Sequence, residues 1–327
     1  MSRWRARRLA GNPIVHPGLD ARMGTSIQGP SLIRVPDWIE APLGRYYLYF
    51  ADHKGDYIRL AYADALEGPW TVHRPGSLQL ARSGFPTVAP PVPPDADQIR
   101  VNLPGIAPDG TPGIPSHLID ATCPHIASPD VHVDTERRRI VMYYHGLVSY
   151  RVQRSRVVTS ADGIDFGAPS DIVGPAYFRV FRHGGFTYAM TMPGIFHRSA
   201  DGFADFKTGP RLFAPDQRHS ALLKRGDSLH VFWTRVGEAP ERIYCSQIDI
   251  SGAWDEWRAG EASEVLRPEF DWEGANEPLE PSWRSAVSVP VNQLRDPAIF
   301  EEDGRTFLLY AGAGESNIGI AELGLEG

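Results

Sequence analysis

Apolar and aromatic residues fall along this chain in short runs cut by Gly, Pro and Asp, and five of the runs are alike. They are RYYLYFA (Arg45 to Ala51), RRIVMYYHG (Arg138 to Gly146), GFTYAMTM (Gly185 to Met192), DSLHVFWTR (Asp227 to Arg235) and RTFLLYAGA (Arg305 to Ala313). A shorter apolar run precedes each one. A third follows, reading YIRLAYAD, RVVTSADG, GIFHRSADG, RIYCSQID and NIGIAEL in turn. Several of these end on an Ala-Asp or Asp-Gly turn signal, as at Asp64, Asp162-Gly163 and Asp201-Gly202. Aromatic and β-branched enrichment without a sustained helical period predicts strands. A unit of three or four strands recurring every ~40–65 residues predicts a propeller blade. Five units use nearly all of the 327 residues, so the pattern predicts an all-β fold, a five-bladed β-propeller forming one domain over residues 1–327.

Two segments break the period. Residues 83–117 are too rich in Pro and Gly for a regular strand pair, and residues 256–292 carry RPEFDWEGANEPLEPSWRS. Long loops in a compact domain are usually functional or disordered. Trp272, Glu273, Glu277 and Trp283 lie close together in the second, which reads as a wall over a pocket. The fifth unit ends after its third strand, so NPIVHP (Asn12 to Pro17) is expected to close the ring. RWRARR (Arg3 to Arg8) reads as a solvated terminus.

Charge and composition narrow the partners. A balance of 33 basic against 40 acidic residues, net −7, argues against nucleic acid or an anionic membrane as the main partner. No apolar run reaches spanning length and no apolar stretch follows the early arginines, so a cytoplasmic setting is expected. Cys123 and Cys245 have no CxxC spacing and suggest no disulfide framework.

The inner runs carry the candidate chemistry. They are QGPSLIRV from Gln28, ASPDVHVD from Ala127, YFRVFRH from Tyr177, RHSALLK from Arg218 and RDPAIFE from Arg295. The innermost strands of a propeller surround its axis, so residues at their starts converge at one end. Gln28, His125, Asp130, Arg179, Arg218, His219, Arg295 and Asp296 would meet there, in the kind of concave polar place that binds ligands and shifts pKa values.

The array GPSLI…YYLYFA, SPDVHVD, RHSALL and RDPAIF…FLLYAGAGE resembles the five-bladed β-propeller glycoside hydrolases, especially family 43 and its relatives, over almost the full chain. That resemblance implies an Asp base in the first blade, a tuning Asp in the second and a Glu acid in the third. Here the matching positions hold Gly29-Pro30, then Ser128-Pro129 with Asp130 two places on, and in the third run Arg179 with no Glu. Only the fifth blade keeps Asp-Pro, at Asp296-Pro297. The fructose-processing propellers share an Arg-Asp-Pro motif, but their Asn-Asp-Pro-Asn nucleophile motif is absent. The chain resembles a divergent relative whose catalytic residues need their own argument.

Glycoside hydrolysis needs one protonated and one ionised carboxyl group. Asp296 beside Arg295 is expected to stay ionised and act as base, because a neighbouring cation depresses a carboxylate pKa. Glu273, flanked by Trp272, is the expected acid, with Glu315 in AGAGES and His219 as other proton donors. A histidine donates in one related family of agar-degrading propellers. Arg179, Arg218 and Arg295 would suit a carboxylate- or sulfate-bearing sugar, with His125, Gln28 and Trp272 as further contacts. Structural roles compete with each assignment: Asp296 as a turn cap, Asp130, His132 and Asp134 as blade bridges, and His53 as a partner for a turn carbonyl. No cofactor is assigned, and scattered His and Asp give only a weak metal signal. The reading is an exo-acting glycosidase on small, acidic oligosaccharides. The alternatives are a lyase or isomerase using His219 and the arginines, or a non-catalytic sugar-binding propeller.

Overall fold

The coordinates are a computed structural model, which describes residues 3–96 and 103–326. Strand β1 (Arg3–Arg8) is followed by blade I, β2 (Gln28–Arg34), β3 (Tyr46–Ala51), β4 (Tyr57–Ala63) and β5 (Thr71–Gln79). Blade II is β6 (Ile126–Asp134), β7 (Arg139–Ser149), β8 (Val152–Ser160) and β9 (Gly174–Pro175). Blade III is β10 (Arg179–His183), β11 (Phe186–Thr191), β12 (Ile195–Ser199) and β13 (Lys207–Arg211). Blade IV is β14 (Gln217–Arg225), β15 (Ser228–Arg235), β16 (Ile243–Asp249) and β17 (Ser263–Leu266). Blade V is β18 (Arg295–Glu302), β19 (Arg305–Gly312) and β20 (Asn317–Glu326), with β1 as its fourth strand. Each blade is a four-stranded antiparallel sheet, and the five form a five-bladed β-propeller.

The apolar runs lie between blades. Leu48 and Phe50 of blade I pack with Phe307 and Leu309 of blade V, while Tyr47 and Tyr49 face Ile140 and Met142 of blade II. Burying each such side chain contributes ~1.5–3 kcal/mol. The tyrosine hydroxyls find partners in the Asp-Gly turns that punctuate the sequence. Tyr49 donates to the Gly163 carbonyl at 2.6 Å, and Tyr143 to that of Gly202 at 2.8 Å. Asp162 and Asp201 shape those turns by accepting from the following backbone amides.

The ring closes differently from expectation. RWRARR is not a solvated terminus but the outer strand of blade V, in antiparallel register from Arg3 opposite Glu326 to Arg8 opposite Ala321. Its period of two explains this: Trp4 is buried against Phe232, whereas Arg5 and Arg7 point outward to Glu326 and Glu322. Asn12 to Pro17 forms no strand. Val15 makes one bridge to Ile318, and the Asn12 amide exchanges hydrogen bonds with the Ile320 backbone. Residues 256–292 are also less irregular than expected, because β17 lies within them. Helix α1 (His117–Thr122) follows the Pro-rich segment, with Ser116 capping it. The two long segments meet, through the amides of Arg284 and Ser288 donating to the carbonyls of Gly105 and Gly113.

Candidate active site

Four of the five inner strands carry a register shift close to their start: between Gln28 and Ser31, Ala127 and Asp130, Gln217 and Ser220, and Arg295 and Ala298. A bulge leaves an extra residue out of the ladder and re-aims side chains. Gly29, Ser128 and Asp296 take left-handed φ values of 63°, 52° and 47° at these mouths, and Tyr177, just ahead of β10, takes 67°. Three of the four are not glycine, so the strain is held by their surroundings, as is common at functional sites.

The mouths surround a cavity of about 260 Å³. His53 after β3, His145 on β7 and His219 on β14 line it, together with Tyr177, Arg218 and Arg284. Asp120 of α1 also reaches it, held low in pKa by Lys54, which overcomes the opposing effect of burial. Burial pushes His145 and His219 well below the usual imidazole range, helped by neighbouring His125 and Arg218 respectively. Both are therefore neutral near pH 7. The Asp296 amide donates to His219 Nδ1 at 3.3 Å, which puts the imidazole proton on Nε2, 3.5 Å from Asp296 Oδ1. The Tyr177 hydroxyl donates to the same oxygen at 3.1 Å, and its ring lies 5.3 Å from that of His219.

Asp296 stands directly behind these two side chains, and its pKa is raised where a lowered one was expected. Its chain neighbour Arg295 does not pair with it. Arg295 donates to Glu315 at 2.8 Å and to Gln293 at 2.9 Å, on the other side of the strand. Burial and the Glu315 charge therefore dominate, and the Asp296 carboxyl is pushed up to about 6 despite Arg179 and Arg218. Glu315 goes the other way. Burial would raise it, but His53 at 3.0 Å with Arg295 and Arg218 holds it down at about 2. Arg218 is itself held by Glu241 at 3.1 Å and the Ser285 carbonyl at 2.7 Å. In this fully buried set Asp296 Oδ2 has no hydrogen-bond partner among the described residues.

The other expected residues divide clearly. Gln28, Arg218 and His219 line the cavity. His125 lies behind His145, ring centroids 6.1 Å apart, with its Nδ1 on the Cys123 carbonyl at 2.7 Å. Arg179 packs against the Tyr177 ring, 4.1 Å from its centroid, and donates to the carbonyls of Ser128, Phe178 and Ser220. With Asp130 it lines a narrow axial channel of about 90 Å³. Asp130 bridges blades there, accepting from the Val180 amide at 2.8 Å and meeting His132 at 2.8 Å. Glu273 and Trp272 are not brought to the cavity. Glu273 is fully buried and accepts from Arg8, the Tyr310 hydroxyl and the amides of Glu269 and Phe270, so its oxygens are taken. Trp272 packs on Tyr310 and covers Gly319.

His145, Tyr177, Asp120 and Arg284 were not singled out from sequence. His145 could have been: it faces Ala127 across the blade II ladder, so it shares the depth of an inner-strand mouth. Asp120 and Arg284 sit on the long segments and carry no periodic signal. Among the described residues no group of three or more His, Cys, Asp and Glu side chains is arranged to hold a metal ion. No helix is long and apolar enough to cross a membrane.

Comparison with known proteins agrees with this architecture. No protein-family model matches the chain. An α-L-arabinofuranosidase from Lactobacillus brevis superposes with a TM-score of 0.56 at 11% identity, over 95% of this chain and 92% of that one. A glycosyl hydrolase from Bacteroides ovatus gives 0.60 at 12%, over 98% and 94%. A structure from the GH130 family of mannoside phosphorylases and glycoside hydrolases gives 0.59 at 13%, over 98% and 94%. At such identities the likeness is one of fold, the five-bladed propeller of glycoside hydrolases. In sequence, "Uncharacterized protein R118" of Acanthamoeba polyphaga mimivirus is 33% identical over 325 aligned positions, covering 91% of this chain and 83% of that protein. The chain belongs to one family with that mimivirus protein, on the five-bladed β-propeller fold shared with glycoside hydrolases.

Proposed function

We propose that the cavity hydrolyses a glycosidic bond in a small carbohydrate bearing an anionic group, with Asp296 as proton donor. The observation that carries this reading is the free Oδ2 of Asp296. A buried polar atom without a partner needs an explanation, and here it belongs to a carboxyl, protonated below about pH 6, whose other oxygen contacts the cavity-lining Tyr177 and His219. The paired environments fit the chemistry, since glycosidases separate the pKa values of two carboxyl groups. The Tyr177 hydroxyl, hydrogen-bonded to Asp296, passes its proton to the leaving oxygen and takes the Asp296 proton in turn, as the bond from that oxygen to the anomeric carbon breaks. Water adds to that carbon and loses its proton to the ionised Asp120. Arg284 would hold the anionic group, because its guanidinium donates only to the carbonyls of Pro104, Pro215 and Gln217 and has no carboxylate partner among the described residues. The fold neighbours that process arabinosides and mannosides support a carbohydrate substrate.

A screen of neutral and uronate-bearing aryl glycosides against the wild type, Asp296→Asn and Asp120→Asn tests the proposal. Turnover of a uronate-bearing glycoside that both substitutions abolish is expected. Unchanged turnover in both variants rejects the carboxyl pair. The neutral His219 and Tyr177 beside three arginines favour a second reading, elimination from an acidic sugar, which would yield an unsaturated, ultraviolet-absorbing product. Sugar binding without any turnover would leave a binding protein.

A further inference from the structure

On the opposite face of the propeller, blades II and III are unequal. Strands β6 and β7 have 9 and 11 residues, whereas β10 and β11 have 5 and 6. That extra length lies at the cavity end, where Ala127, Ser128 and His145 line the central cavity; at the far end the two hairpins differ in their turns, residues 135–138 against Gly184-Gly185. The longer β6–β7 turn and the two glycines opposite it flank a cleft at the seam, with Arg137 on one side and Gly185 on the other. Two adjoining hollows of about 380 and 320 Å³ fill it, sharing Arg182, Thr187 and Phe203. Either exceeds the central cavity.

The cleft has two chemical characters. Its floor is apolar: Val133, Val141, Val180, Phe181 and Phe203, with Val133 36% exposed. Its rim holds three guanidinium groups. Arg137 and Arg139 share the single buried carboxylate of Asp134, at 3.5 and 2.9 Å, and Arg139 also covers the Phe203 ring at 4.6 Å. Arg182 is exposed and has no carboxylate partner among the described residues. Two further acids line the cleft. Asp201 Oδ1 is committed to its turn, accepting from Ser199 and the amides of Phe203 and Ala204, while Glu136 is 84% exposed and only 4.0 Å from Arg137. An apolar floor beside Arg182, whose guanidinium has no carboxylate partner among the described residues, matches a ligand with one anionic end and an apolar body.

We propose that this blade II–III cleft is a second ligand site, separate from the central cavity, for a small amphipathic anion such as a medium-chain or aromatic carboxylate or sulfonate. Arg182 takes the anionic head and the Val133–Phe203 floor takes the body. The proposal is independent of the reaction assigned to the central cavity.

Anilinonaphthalene sulfonate, an aromatic sulfonate whose fluorescence rises in apolar surroundings, is the probe. The wild type is expected to bind it saturably at one site. Arg182→Glu should weaken binding at least about tenfold, the scale of one charge-assisted contact. Val133→Asp, which puts a carboxylate on the floor without disturbing the inter-blade core, should abolish it. Arg218→Met in the central cavity should leave binding within about twofold of wild type, and near-ultraviolet circular dichroism confirms that each variant is folded. Octanoate should displace the probe, whereas the neutral octyl glucoside should not. Saturable binding that survives both cleft substitutions, absence of binding to the wild type, or equal competition by octyl glucoside would overturn the proposal.

Discussion

Arg295 gives its charge to Glu315, not to its chain neighbour Asp296: its Nη1 lies 2.8 Å from the glutamate, and both side chains are fully buried. Successive strand side chains point to opposite faces, and at the mouth of β18 Arg295 meets Glu315 while Asp296 meets Tyr177 and His219. The Glu315 carboxyl is held down at about 2 and that of Asp296 is pushed up to about 6.

Asp296→Asn should lower turnover by ~10²–10⁴, the usual contribution of a proton donor. In the wild type, kcat/KM should fall as pH rises through about 6, because Asp296 must be protonated to donate. Initial rates from pH 4 to 9 measure this. A limb unchanged in Asp296→Asn would assign that titration elsewhere.

The same carboxyl predicts a stability trend. Its folded pKa of about 6 lies above the ordinary 3.8, so the folded state binds the extra proton between those values. Wild-type stability should therefore decline, relative to Asp296→Asn, as pH rises from about 4 to 6, and the gap should level off above that. The full difference is on the order of 3 kcal/mol. Urea titrations of both proteins at several pH values measure it, and a gap independent of pH would contradict it.

Glu315 has the opposite sign. Held at about 2 against an ordinary 4.5, it contributes stability above pH 4.5 that is lost as pH falls toward 2. Glu315→Gln removes the nearer carboxylate partner of the buried Arg295, Glu241 being 3.8 Å away, and breaking a buried pair costs ~3–5 kcal/mol. The melting temperature at pH 7 should drop sharply. A variant as stable as wild type would show that Gln293 and Glu241 suffice for Arg295.

Glu273 should separate stability from activity. Its carboxylate ties Arg8 of the closing strand to Tyr310, away from the cavity. Glu273→Gln should unfold at lower denaturant while retaining wild-type kcat/KM when folded. Removing residues 1–8 should be more damaging, since it exposes the β20 edge and uncovers Phe232. Loss of turnover in a fully folded Glu273→Gln protein would return this residue to the site.

Arg284→Met should remove a preference for anionic substrates. Its guanidinium has only carbonyl partners among the described residues and, through burial and then the neighbouring Arg218, is pushed down to about 10. KM for a uronate-bearing glycoside should rise about tenfold or more, with neutral glycosides little changed. An equal loss on both substrates would make Arg284 only a strut between the two long segments.

Strand type, blade number and the inner-strand mouths were legible in sequence because they rest on local periodicity repeated five times. Repetition lets weak propensities reinforce one another. Period two was equally visible in RWRARR, but its charge masked it; arginine-rich strands can close a ring when one face is buried and the other finds carboxylates. The placement of Gln28, Arg218 and His219 at the cavity followed from register alone. What tertiary structure decided was who meets whom. Adjacent residues such as Arg295 and Asp296 take different partners, while Glu315 and His53, 262 positions apart, lie 3.0 Å from each other. Glu273 was read as facing a pocket from its tryptophan neighbour, yet its direction was set by Arg8, which arrives from the other end of the chain. Local sequence determines which way a strand's faces alternate. Charge state depends on burial and on non-local partners, which exist only once the ring has closed.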